Sequence, residues 1–236
     1  PVPYIKREGE RHELEYNLEL LRRLGVESKE RVLSVSITPA QEQKVTRFLQ
    51  ESGANGSAPL IALHPGASCP SKRWPAERFA AAGDRLVERF GAKIIVVTGP
   101  EEIPLGKQVV GRMRSPALAA FGLFSPSELA GLLAQVRCLI SNDSGPVHVS
   151  CAVGTPVVAI FGRWGGGLSP TRWGPTDPNS IVLHRDVGCR PCLAHRCPIG
   201  FVCLQAVSVE EVVAAAAHLA DLSAVLPEGK EAREGK

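Results

Sequence analysis

Residues 141–162 read SNDSGPVHVSCAVGTPVVAIFG and place several reactive residue types at one junction. The apolar stretch before them closes at Ile140, and a small-residue helical pattern follows at once. Asp143, Ser144 and Gly145 stand where a strand passes into a helix, and His148 follows one turn later. The start of a helix has free N–H groups and the positive end of the helix dipole, and both suit a phosphate. Gly145 lets backbone approach a ligand closely, and Ser144 adds a hydroxyl donor. His148 is placed to donate to an anionic oxygen. Asp143 either orients the loop or accepts from a sugar hydroxyl. A plainer arrangement uses the same residues, with Asp143 or Ser144 as an N-cap and His148 as a surface histidine.

A second stretch, HPGASCPSKRWP at 64–75, has the same strand-to-helix character. Ser68 supplies a hydroxyl, and Lys72 and Arg73 supply positive charge before a helix that opens at Pro75. A lysine there offsets diphosphate charge, or is simply solvated. TGPEE at 98–102 is a third loop of this kind. The P-loop pattern GxxxxGK[ST] is absent, as are GxGxxG and the GxSxG nucleophile elbow.

These loops need a scaffold, and the spacing of apolar residues predicts one. LIALHPG, AKIIVVTG, PALAAFG, RCLISND and PVVAIFG are short apolar strands separated by helical stretches. The helices are Pro75 to Phe90, a weak one from Ile103 to Met113, SPSELAGLLAQV capped by Ser125 or Ser127, and HVSCAVG. Continuous rather than alternating apolar strands are covered on both faces, which predicts an α/β fold with a parallel, doubly wound, Rossmann-like sheet. In such a sheet ligands lie beyond the carboxyl ends of the strands, where the three loops fall. Upstream, RHELEYNLELLRRL and AQEQKVTRFLQES read as helices flanking a strand at RVLSVSI. The Gly/Ser/Pro loop ANGSAP then gives a domain boundary, with 1–58 before it and one lobe over 59–222. VSVEEVVAAAAHLADL is a last helix, and 223–236 a solvated tail.

The composition excludes some classes of protein. A formal net charge of +3 over 236 residues is too small to imply nucleic acid. No apolar run approaches the ~18–20 residues of a membrane span. The amino-terminal stretch is polar, unlike a signal peptide. Seven cysteines, an odd number, point to a reducing, cytoplasmic setting rather than a disulfide scaffold. Cys189, Cys192, Cys197 and Cys203 follow C-x2-C-x4-C-x5-C. Four thiolates can complete a tetrahedral zinc site. Without a paired CxxC knuckle the expectation is packed or free thiols, with no metal and no cofactor. Trp164 and Trp173, in the Gly/Pro loop before them, either cover a ligand or pack. The chain begins at Pro1 and its single methionine is Met113, so it reads as a piece of a longer protein.

HPGAS…KRWP, TGPEE, SNDSGPVHVSCAVGTPVVAIFG, SPTRWGP and CRPCLAHRCPIGFVC together, in this order, resemble glycosyltransferase family 9, the ADP-heptose:lipopolysaccharide heptosyltransferases. The resemblance covers roughly 60–215, and HELEYNLELLRRLG is similar to that family's link between domains. It implies the GT-B fold of two Rossmann-like lobes, with this chain as the second, donor-binding lobe. It implies that Ser68 and Lys72 contact the donor diphosphate, that Glu102 holds ribose hydroxyls, and that Phe124 borders the base. Asp143, Ser144, Gly145 and His148 would bind the diphosphate and the heptose. The acceptor would be a lipid-linked glycan at the inner face of the cytoplasmic membrane. The general base expected early in the first lobe has no counterpart here. Two other readings stay open: a non-catalytic nucleotide-binding module, and another GT-B nucleotide-sugar enzyme.

Overall fold

The computed structural model describes residues 9 and 11–222, except 55, 166, 190, 191, 193, 194 and 196. The expected tail at 223–236 lies outside the described residues. Six strands form one sheet: β1 (Leu60–His64), β2 (Lys93–Thr98), β3 (Ala117–Phe121), β4 (Cys138–Asn142), β5 (Val157–Phe161) and β6 (Ile181–His184). All neighbours are parallel, in the order β3-β2-β1-β4-β5-β6. The chain runs outward from β1 to β3, then crosses back to lay β4 on the other side of β1. That reversal opens a crevice between β1 and β4 at their carboxyl ends. Their register pairs His64 with Ser141, so both strands end level with one another.

β1, β4 and β5 are each buried along their whole length, because helices cover both faces. Ile61, Leu63, Val96, Ile140 and Ile160 face one layer, made by α3 (Ala76–Phe90), α4 (Ile103–Val110) and the carboxyl-terminal helix Val209–Leu219. Ala62, Val97, Leu139, Ala159 and Phe161 face the other layer, built from α2 (Pro39–Glu51), α5 (Pro126–Leu133) and α6 (Gly145–Ala152). Successive residues of a strand point to opposite faces, and here both directions meet apolar side chains.

Local signals place the helix ends. Thr38 and Gln41 form a capping box at the start of α2, and Ser125 and Glu128 do the same for α5. Gly91 ends α3 in the left-handed conformation. The first helix, α1 (Glu13–Arg23), is joined to the sheet domain by Arg172, whose guanidinium is 2.6 Å from Glu13 Oε2.

RVLSVSI at 31–37 forms no strand. Leu33, Val35 and Ile37 are half-buried while Val32, Ser34 and Ser36 are exposed, so the two-residue alternation is real. Among the described residues it joins no ladder of the sheet, and a strand without a ladder partner cannot satisfy its backbone groups in a sheet. Three short elements had no clear sequence signal. They are β6, α7 (Pro170–Trp173) and α8 (Val202–Gln205), the last two of four residues each.

Candidate functional site

The β1/β4 crevice is walled by the loop after β1, the turn after β2 at Pro100–Glu102, the start of α5 and the start of α6. It holds about 590 Å³, within the range of small-molecule sites. Asn142 holds its two central walls together. Its side-chain oxygen accepts from Trp74 N–H at 2.9 Å, and its amide donates to Pro65 O at 2.8 Å. The Arg73 guanidinium folds back on Ala67 O at 2.7 and 2.9 Å. Trp74 is buried, stacks edge-on against Phe79 and donates to Val207 O. KRWP therefore anchors the loop and leaves Lys72 as its outward cation.

Lys72 Nζ lies 2.9 Å from Asp143 Oδ2, and an Arg163 nitrogen lies 3.6 Å from the same oxygen. The Asp143 and Arg163 side chains are almost fully buried, and Lys72 is 16% exposed. One acid between two cations leaves these three side chains with one net positive charge. Asp143 is the holder of those cations in this arrangement, and caps no helix.

Nor does Ser144 cap α6, although it occupies the N-cap position. Its hydroxyl lies 3.2 Å from His64 Nδ1, 3.1 Å from Ser141 Oγ and 3.1 Å from Asn142 O. The amino end of α6 thus faces the crevice without a side-chain cap, free for an anion. A Cβ added to Gly145 would meet nothing within 4 Å, so the space beside its backbone is open to a ligand.

Glu102 hangs from the turn after β2 and points at His64, Oε2 to Nε2 3.4 Å. The hydrogen bond from His64 is the main cause holding its carboxyl below the usual range, against burial, with help from Gly99 N–H and Arg73. It is an ionised acceptor, suited to hydroxyl donors. Gly66 makes room for it, since a Cβ there would lie 2.1 Å from Oε2. Phe124 and Ser68 complete the lining, with Phe124 packed edge-on against Phe48.

Seven residues singled out from the sequence thus share one crevice: Ser68, Lys72, Glu102, Phe124, Asp143, Ser144 and Gly145. His148 does not line it. Its ring packs between His12 and Trp173, with centroids 6.3 and 6.5 Å away. Burial pushes its pKa down, with His12 adding to the effect and Asp143 opposing it. Three residues from Gly145 is a step of ~300° around a helix, which turns His148 to a neighbouring face. Sequence reasoning missed His64, Asn142 and Arg163. A polar residue closing an all-apolar strand was the available signal for His64 and Asn142.

The cysteines line a separate cavity of about 110 Å³. Cys189, Cys192, Cys197 and Cys203 border it with His184 and Trp164, whose rings stack at 4.7 Å. Among the described residues, no three His, Cys, Asp or Glu side chains are grouped as a metal site. Trp173 packs inward and donates to Gly167 O, so neither tryptophan lines the crevice. No helix among the described residues is long and apolar enough to cross a membrane.

Comparison with known proteins agrees with this architecture. Lipopolysaccharide heptosyltransferase 3 of Escherichia coli is 30% identical over 171 residues, 71% of this chain and 48% of that protein. The chain spans about half the length of the curated relatives it matches. The crystal structure of a family 9 glycosyl transferase from Veillonella parvula superposes with a TM-score of 0.73 at 30% identity, over 89% of this chain and 60% of that one. The E. coli heptosyltransferase WaaC with ADP shares the fold at 18% identity, with a TM-score of 0.60 over 89% of this chain and 57% of that one. The family model for glycosyltransferase family 9 (heptosyltransferase) matches residues 3–202, and the chain belongs to that family.

Proposed function

We propose that this chain is the donor-binding part of an inverting heptosyltransferase, carrying a heptose from ADP-heptose to a lipopolysaccharide core acceptor. The crevice at the strand-order reversal is the observation that carries this reading. It has an ionised acceptor at one end, Glu102, and at the other the cation Lys72 on Asp143, which Arg163 approaches from the neighbouring cavity. A nucleoside diphosphate has the matching polarity. Its ribose hydroxyls donate to Glu102, its base lies along Phe124, and its phosphates meet Lys72, Ser68, Ser144 and the amino end of α6.

In this reading residues 59–222 form the donor lobe, and 1–58 the end of a preceding lobe with its connection. The acceptor hydroxyl attacks the anomeric carbon, the bond to the diphosphate breaks, and the new glycosidic bond has inverted configuration. Negative charge grows on the departing phosphate oxygen through an oxocarbenium-like state. Groups already aimed at that oxygen stabilise the transition state more than the intact donor. The general base is assigned to the preceding lobe, and closure of the two lobes excludes water. A lipid-linked acceptor places the reaction at the inner surface of the cytoplasmic membrane. His148 stands within electrostatic reach of Lys72 and Asp143 and is assigned to the sugar side.

Titration calorimetry with ADP, UDP and GDP tests the reading. The chain binds at least one of them, more weakly than a two-lobed protein would. Absence of binding by all three at millimolar concentration overturns it.

A further inference from the structure

His64 is nearly fully buried and touches both ends of the crevice, since Nε2 faces Glu102 and Nδ1 faces Ser144. We propose that His64 is the positioning residue of this crevice, taking up a proton as a diphosphate binds so that Ser144 can donate to the ligand. This rests on the nucleotide-binding reading above.

The proton count leads to it. Ser141 donates its hydroxyl proton to Asn142 O at 2.8 Å. Ser144 has one proton and, within 3.2 Å, a carbonyl that only accepts, Asn142 O, a hydroxyl that can accept or donate, Ser141 Oγ, and His64 Nδ1. To donate to a phosphate oxygen, Ser144 must turn its proton away from all three. A neutral imidazole carries one N–H. On Nε2, that proton serves Glu102 and leaves Nδ1 as an acceptor, competing with the ligand for the Ser144 proton. On Nδ1, it frees Ser144 but turns a lone pair toward the Glu102 carboxylate. The imidazolium satisfies both: Nε2–H donates to Glu102, Nδ1–H donates to Ser144 Oγ, and Ser144 donates to the phosphate. The proton comes from solvent and no covalent bond changes.

The surrounding charges favour this state once ligand is present. Glu102 is an ionised carboxylate in direct contact, and Arg73 acts on it from the loop after β1. Lys72 and Arg163 are turned onto Asp143 at the end of β4. His148 of α6 is held toward its neutral form by burial. An incoming diphosphate adds negative charge beside the imidazole, and linkage requires that a ligand favouring the protonated state bind more tightly as pH falls.

The probe is ADP-glucose, whose esterified diphosphate has no group titrating near neutrality. Calorimetry between about pH 6 and 8, in two buffers of different ionisation heat, reads affinity and proton uptake together. The wild-type chain takes up a substantial fraction of one proton, and its affinity falls as pH rises, by at most about tenfold per pH unit. His64→Asn keeps an N–H for Ser144 without a titrating group, and shows neither effect. Glu102→Gln removes the charge that supports the imidazolium and also lowers the uptake, a second variant should the first not fold. Equal pH profiles in the wild type and a folded variant, or no proton uptake by the wild type, overturn the proposal while nucleotide binding itself stands. A wild-type chain that binds no nucleotide overturns the proposal together with the reading it rests on.

Discussion

Lys72→Ala separates a diphosphate site from a merely polar crevice. In the folded chain Lys72 and Arg163 share Asp143, so the three side chains carry one net positive charge. Deleting the lysine brings that charge to zero and leaves a carboxylate facing the incoming phosphates. At ~5 Å and an effective dielectric of ~20, one unit charge is worth about 3 kcal/mol against another. Measured charge-assisted hydrogen bonds fall in the same range, about 1.5–3 kcal/mol. Lys72 is only 16% exposed, so solvent removes little of this. The expected loss in ADP affinity is therefore about tenfold to a hundredfold.

Adenosine supplies the internal reference, because in the proposed reading it reaches Glu102 and Phe124 but has no phosphate for Lys72. Calorimetry with both ligands should show adenosine affinity nearly unchanged. Lys72→Arg, which keeps the charge, should recover most of the ADP affinity, and a melting curve for each variant checks folding. Equal losses for ADP and adenosine would refute the argument and make Lys72 a structural partner of Asp143 alone.

The remaining predictions concern other parts of the molecule. Gly66→Ala should give the opposite pattern, weakening adenosine and ADP alike by about fivefold to thirtyfold, because the new methyl displaces Glu102 from its place beside His64; calorimetry with the same two ligands reads it. Burial raises the Asp84 pKa, but the N–H groups of Ser115 and Arg114 outweigh this and hold it below the usual range. Asp84→Ala should thus cost about 2–4 kcal/mol in urea unfolding at neutral pH, by orphaning those donors. Since a lowered native pKa contributes stability that is full above the unfolded value and is lost as pH falls through the native one, the difference should shrink progressively below pH ~4. Elemental analysis of protein purified without chelator should find well under one equivalent of metal on the four clustered cysteines, with chelator leaving the melting temperature unchanged; one equivalent of zinc and a large drop would refute it.

The sheet was legible because its signal is cumulative. Five apolar runs of five or six residues, each bounded by Gly, Pro or a charged turn, cannot be satisfied unless both faces are covered. The loops at the strand ends inherited their position from that sheet. RVLSVSI shows where the logic stops, for its alternation records burial, and pairing depends on a neighbour that sequence spacing does not reveal. β6 was hidden because a four-residue edge strand after a Gly/Pro loop has too little apolar content to stand out. At the site, residue types were readable but their pairings were not. Asp143 and Lys72 are 71 positions apart, and only the β1–β4 register brings them into contact. His148 shows the converse: nearness in sequence to Gly145 says little about the face of a helix on which a side chain lies.

In the proposed reaction the Asp143 ion pairs would bear on rate as well as on affinity. Two cations left unopposed would attract any diphosphate strongly, bound sugar or free product, and tight ground-state binding adds nothing to turnover once the site is full. A carboxylate between them offsets part of that attraction while fixing the direction in which each cation points. As the glycosidic bond breaks, the diphosphate gains one further negative charge, which lies closest to the bond being lost. Cations held in place by that carboxylate would respond to the added charge with little reorganisation. Asp143→Asn in the two-lobed protein should then leave ADP bound as tightly or more tightly, while turnover falls by roughly tenfold or more, equivalent to about 1.4 kcal/mol of transition-state stabilisation. Nucleotide release from ADP-heptose with a truncated lipopolysaccharide acceptor measures the rate, and calorimetry measures the affinity. A variant that loses ADP affinity and keeps its turnover would place Asp143 against the ligand rather than behind its cations.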